Sequence, residues 1–194
     1  MKIDRINDDF MDAEQARESL ELLISQPTPQ QLAPCQNCTQ HVPNMCSPSC
    51  SDASSALSSD PVNFPLEEKV VPFVFELSAT RLMQTCWSCE GHFDHEGKLW
   101  KIPQICFYAS SPVYSHLLIR HINKLKLDKR LSYEWRVGIA DFGQGAQFNY
   151  SVEPNLNLEN DPRLGALQQD LCIIAENLCE NLKYQAKKML IELQ

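Results

Sequence analysis

At 194 residues the chain is long enough for one domain with a substantial core, and its 43% apolar and 22% charged residues are those of an ordinary globular protein. No apolar run approaches the ~20 residues that span a bilayer, and a formal charge of −8 argues against a general nucleic-acid binder, whose affinity for phosphate comes from Lys and Arg. Charges at Lys2, Asp4, Arg5, Asp8 and Asp9 leave no room for an apolar leader, so the expected setting is cytoplasmic, where nine cysteines point to metal binding or buried thiols ahead of disulfides.

Phe10 to Ser25 reads as an amphipathic helix: Asp12 with Gln15 has capping-box spacing, and Ala13, Ala16, Leu20 and Leu23 share one face. The expected first unit is therefore residues 1–25. Residues 26–65 differ in composition, holding seven of the twelve prolines and a serine-rich run from Ser47 to Ser59. Without a period of 2 or 3.6, such a stretch buries too little side chain to offset its ordering entropy, and it reads as an arm or linker.

An α+β domain is expected over 66–194. Alternating Val71, Phe73, Phe75 and Leu77 predict a strand, and Ser78 to Gln84 a short helix. Asp94 to Gly97 is a turn signal, Ile102 to Ala109 a second strand, and Ser111-Pro112 the start of a helix whose apolar side carries Val113, Leu117, Leu118, Ile122 and Leu125. Leu131, Tyr133, Trp135, Val137 and Ile139 alternate with polar residues, as do Phe148, Tyr150 and Val152 beyond the Gly143–Gly145 loop, which predicts an antiparallel hairpin. Asp161-Pro162 then opens one long C-terminal helix with Leu164, Leu167, Leu171, Ile174, Leu178 and Leu182 along one stripe. Together these elements predict a two-layer sandwich of helices on a mainly antiparallel sheet. The length of the last helix suggests that its distal end packs on a second copy of the chain.

Two constellations carry chemistry. In the arm, Cys35, Cys38, Cys46 and Cys50 form a C-x2-C…C-x3-C pattern, the four soft ligands that tetrahedral zinc takes, with His41 as a substitute. An iron–sulfur cluster fits less well, because the bacterial ferredoxin run of three cysteines is missing. In the domain, Cys86, Cys89, His92 and His95 are a second candidate ligand set. The same segment has a thioredoxin-like C-x2-C, but Glu90-Gly91-His92 does not start the helix such a thiol needs. It also offers Cys89 and His92 as a catalytic thiol–imidazole pair. A packed turn with half-buried cysteines is the plain alternative, and Cys106, Cys172 and Cys179 read as core or helix-face thiols.

Thr85-x-x-Ser88-Cys89-x-Gly91-His92, followed by the strand Ile102 to Phe107, resembles a signature of uncharacterised small bacterial and phage proteins, over about Val70 to Val152. That resemblance implies no activity. The turn is also similar to the Ser-Cys-x-Gly-Arg turn of the tRNA wybutosine-synthesis methyltransferases, with His92 in place of the Arg. No matching cofactor site accompanies it, so it implies fold and not function.

The leading expectation is thus a non-catalytic, metal-binding adaptor that works through protein contacts, with zinc as its metal. An enzyme built on Cys89 and His92 is the alternative. A nucleic-acid role through Arg120, Lys124, Lys126, Lys129 and Arg130, with His116 and His121 nearby, ranks third, since a solvated helix face and the turn after it explain that cluster better.

Overall fold

The computed structural model describes residues 12–27, 41–42, 45–46, 57–58, 60, 62–141, 148–156 and 163–193. Helix α1 (Ala13–Ser25) begins where the sequence puts it, with the Asp12 side chain accepting from the Glu14 N–H. Two short strands, β1 (His41–Val42) and β2 (Met45–Cys46), pair antiparallel within the arm.

The next segment reverses the expectation. Val71–Ala79 is helix α2 and Met83–Cys89 is strand β3, where the alternation predicts strand and then helix. Helix α2 packs against β3 and against two other helices, so Val71, Phe73, Val74, Phe75, Leu77 and Ala79 are all buried. A segment enclosed on every side carries no polar stripe to reveal its period. Pro72 fits the first turn of a helix, where its missing N–H costs nothing. Buried Thr80 makes the corner: its hydroxyl donates to the Leu77 carbonyl at 2.6 Å and accepts from the Met83 N–H at 3.2 Å.

A small hairpin, β4 (His92–Phe93) with β5 (Leu99–Lys101), precedes β6 (Gln104–Ala109) and helix α3 (Pro112–Leu127). Ser111 caps α3 by accepting from the Val113 N–H. The expected hairpin follows as β7 (Trp135–Asp141) and β8 (Phe148–Pro154). The main sheet has the order β3-β6-β8-β7 and every pair is antiparallel. Ile105, Phe107, Tyr150, Val152 and Trp135 turn one face into the core with the helices, and the other face is open.

The expected Asp161-Pro162 start lies outside the described residues. The C-terminal helical run spans Leu164 to Glu192 but divides into α4 (Leu164–Ala175) and α5 (Leu178–Glu192). Asn177 makes the break at a φ of 52°, a left-handed conformation that Asn tolerates better than most residues. All six apolar stripe residues from Leu164 to Leu182 stay buried across the division. The break lets Glu76 of α2 accept from the Cys179 N–H at 2.9 Å, satisfying one of the free donors at the start of α5.

Helix α1 is not set apart from the domain. Ala16, Leu20 and Leu23 belong to the same core cluster as the sheet and the other helices, and α1 packs mainly on α5. One side of α5, the helix whose length suggests a second copy, packs on α1 of the same chain. A buried polar clasp fixes the remaining corner. Asp170 on α4 accepts from the Ser132 and Tyr133 N–H groups and from Trp135 Nε1, at 2.8, 2.9 and 3.1 Å.

Candidate metal centre

Strand β3 carries the C-x2-C motif, and extension separates its two cysteines. At about 3.3 Å per residue, Cys86 and Cys89 lie on the order of 10 Å apart along the strand, too far to share one ion at zinc–sulfur distances or to form a disulfide. Cys86 is exposed and its thiol reaches Asn149 Oδ1 at 3.9 Å, over the open face of the sheet. Cys89, at the strand's end, is buried.

Beyond Cys89 the chain turns through Glu90 and Gly91 and places His92 back beside it on β4. Gly91 sits at a φ of +87°, and a Cβ there would lie 2.6 Å from Leu164 Cδ1 and 2.9 Å from Pro103 Cδ. No other residue fits both the conformation and the space. The Gly91 N–H points at Cys89 Sγ at 3.4 Å, and the Glu90 carbonyl accepts from Gln168 Nε2 of α4 at 3.1 Å.

The third member comes from the segment just before α2. Glu67 Oε1 lies 2.7 Å from His92 Nε2, and Glu67 Oε2 accepts from the Glu90 N–H at 2.6 Å. Glu90 reciprocates, its Oε2 accepting from the Lys69 N–H at 2.8 Å. These two crossed carboxylate–backbone bonds clasp the segment before α2 to the β3–β4 turn. As a result Glu67, Cys89 and His92 hold a carboxylate oxygen, a thiol sulfur and an imidazole nitrogen within 4.8 Å of one another. Burial pushes the Cys89 thiol above its ordinary range; the Gly91 N–H opposes this, Glu67 adds to it, and Lys101 opposes it. The imidazole Nε2 faces the Glu67 carboxylate.

Of the domain's expected ligands, the structure joins Cys89 and His92 and leaves out Cys86 and His95. His95 is 90% exposed in the Asp94–Gly97 turn, 3.9 Å from Glu96. Cys86 is held away by the extended strand. Glu67, which completes the group, carries no signal in the sequence: it lies far from Cys89 along the chain and its partnership arises only from packing. In the arm, Cys35, Cys38 and Cys50 lie outside the described residues, and Cys46 pairs in register with His41 across β1 and β2.

Glu67 also lines a cleft of ≈ 790 Å³ between Leu57, Ser58, Asp60 and residues 63–67 on one side and the edge strand β3, with Cys86 and Trp87, on the other. The basic cluster on and after α3 is largely matched by acids. Arg120 meets Glu192 at 3.7 Å, Lys124 meets Asp128 at 2.6 Å, and Lys126 and Arg130 meet Glu134 and Glu176 at 2.5 Å. No helix among the described residues is long and apolar enough to cross a membrane. No protein-family model, curated protein or solved structure matches the chain.

Proposed function

We propose that this chain is a metal-binding accessory protein that holds zinc through Glu67, Cys89 and His92 and acts by contacts with other proteins. One observation carries the reading: three donors of the kinds zinc takes converge within 4.8 Å on a turn clamped to the core. A zinc ion with bonds of 2.0–2.3 Å needs its donors about 3.5 Å apart, so closing around it requires only small side-chain adjustments. The supporting shell fits the same purpose, since the Glu90 N–H orients the carboxylate and the Gly91 N–H the sulfur. Binding would take the proton from Cys89, which the ion's charge makes favourable despite burial. The acid partners of the α3 cations speak against a phosphate-binding surface there.

A second reading, an enzyme, has one observation in its favour. Three protein donors leave a fourth zinc position for water, and Glu67 borders a cleft large enough for a small substrate.

Metal analysis of the full chain purified without an affinity tag tests the proposal. Zinc should be present and should persist in a Cys35→Ser/Cys38→Ser variant, while Cys89→Ser and the half-exposed His92→Gln each lose it. Cobalt substituted at this site should show a sulfur-to-metal absorption band that disappears in Cys89→Ser. Zinc content unchanged by both domain variants would refute the site and leave the arm's Cys35, Cys38, Cys46 and Cys50 as the metal's seat. Zinc-dependent hydrolysis of small esters or phosphates, abolished by His92→Gln, would favour the enzyme.

A further inference from the structure

The open face of the sheet carries two thiols that the metal centre does not use. Their relation follows from the register of β3 on β6. Thr85 pairs with Phe107 and Trp87 with Cys106, so Cys86 is the extra residue of a β-bulge. In such a bulge two residues of one strand oppose a single residue of its partner. Thr85 shares the inward side with buried Phe107, whereas Cys86 is exposed and reaches Asn149. Cys86 therefore belongs with Trp87, and both stand opposite Cys106.

The contact with Asn149 fixes where the Cys86 side chain goes. Asn149 is on β8, and β6 lies between β3 and β8. To reach it, Cys86 must lean across β6 on the open side. The outward residues of β6 at that point are Cys106 and Tyr108, paired with Ser151 and Asn149. Residues opposite one another in an antiparallel pair have Cα atoms about 4.5–5.5 Å apart, within the roughly 4.4–6.8 Å range that a disulfide accepts. Both thiols are free, Cys86 exposed and Cys106 half-buried.

We propose that Cys86 and Cys106 form an oxidisable dithiol, which a hydroperoxide converts to a cross-strand disulfide on the open face of the sheet. Exposed Cys86 reacts first. The Cys86 thiol, which burial holds above its ordinary range, gives up its proton as its sulfur attacks the terminal peroxide oxygen; the O–O bond breaks, the alcohol or water leaves carrying that proton, and a sulfenic acid remains on Cys86. The Cys106 sulfur, losing its proton, then attacks that sulfur; the S–O bond breaks and water leaves as the S–S bond forms. In sum two thiols give up two electrons and two protons, and the hydroperoxide is reduced to an alcohol (or water) and one further water. The product staples the bulged edge strand, and with it the Cys86–Trp87 wall of the cleft, to the strand beside it. Cross-strand disulfides that are exposed or strained are the readily reduced kind, suited to a reversible change. The inference does not depend on zinc at Glu67, Cys89 and His92.

The test treats the full chain with hydrogen peroxide, blocks remaining thiols with an alkylating agent, and maps disulfides by mass spectrometry after trypsin. Cleavage after Arg81, Lys98, Lys101 and Arg120 puts Cys86 and Cys106 on separate peptides, so their link is directly visible. A linked pair that dithiothreitol separates is expected, and it should form equally in Cys89→Ser. In Cys106→Ser the link is lost and dimedone labelling of Cys86 rises several-fold, because its sulfenic acid has no resolving thiol. Cys86→Ser, a change at an exposed site, should leave Cys106 alkylatable after the same treatment. The proposal is overturned if Cys86 and Cys106 both stay alkylatable, or if Cys86 links to another cysteine in preference.

Discussion

Two glycines with positive φ show how much a local conformation costs once packing is added. At Gly91 a Cβ meets Leu164, Pro103 and the Lys101 carbonyl, whereas at Gly97, with a φ of +78°, nothing lies within 4 Å. Gly91→Ala combines strain with overpacking and should lower stability by about 2–5 kcal/mol. Gly97→Ala should cost about 1 kcal/mol, the backbone contribution alone. Urea denaturation of the two variants measures the difference, and equal losses would mean that the β3–β4 turn can relax. The buried Glu76 carboxyl makes stability depend on pH. Burial raises its carboxyl above the ordinary 4.5, the Cys179 N–H opposes this, and Glu180 adds to it. A raised folded value means the native state holds the proton more tightly than the unfolded chain does. The associated stability is present below pH 4.5 and is lost as pH rises through the raised value. Glu76→Gln keeps an acceptor for Cys179 without the charge, so its denaturation free energy relative to the parent should improve as pH rises across that window. A constant difference between the two proteins would contradict this.

At the scale of elements, His121 couples α3 to α4. Its Nε2 sits 3.0 Å from the Ile174 carbonyl, one turn before the chain breaks into α5. Burial lowers its pKa below the ordinary 6.5; the Ile174 carbonyl opposes that, and Arg130 and Lys124 reinforce it. Here the native state resists the proton. The stability it contributes is complete above pH 6.5 and declines as pH falls toward the lowered folded value. His121→Gln, which can still donate to Ile174, should remove that decline in a series of melts from pH 7.5 to pH 4.5, an acid window chosen around the ordinary His value of about 6.5. If the variant and the parent lose stability in parallel, another group is responsible. The elements themselves were unevenly legible. Strands β6, β7 and β8 and helices α1 and α3 each have one wet and one buried side, and their periods are plain in the sequence. Helix α2 is enclosed, so its apolar residues resembled a strand. The break at Asn177 left the apolar stripe uninterrupted and gave no sign of itself.

For the whole molecule, the decisive contact is the return of the chain's beginning onto its end. Leu20 and Leu23 are fully buried, the Tyr114 hydroxyl donates to the Ser19 carbonyl at 3.1 Å, and Lys183 Nζ donates to the Gln26 carbonyl at 2.6 Å. Leu20→Ala should cost about 2–5 kcal/mol, as a large cavity in a shared core does. The truncated chain 27–194 should bind a hydrophobic dye and lose near-ultraviolet circular dichroism while keeping helical signal. A cooperative, dye-free 27–194 would mean that α1 is an appendage after all.

The sequence by itself was sufficient for what depends on local exposure: an α+β class, the β7–β8 hairpin, the Asp12 and Ser111 caps, and the turn that brings Cys89 and His92 near each other. Those features are written in spacing, because a residue's face follows from its position in a helix or strand. Tertiary structure alone decided that Cys86 and His95 stand apart, that Glu67 joins Cys89 and His92, and that Cys106 lies across from Cys86. The last two are meetings of residues remote along the chain. They are fixed by which strand pairs with which and by what the packed core leaves room for, and no local period records either.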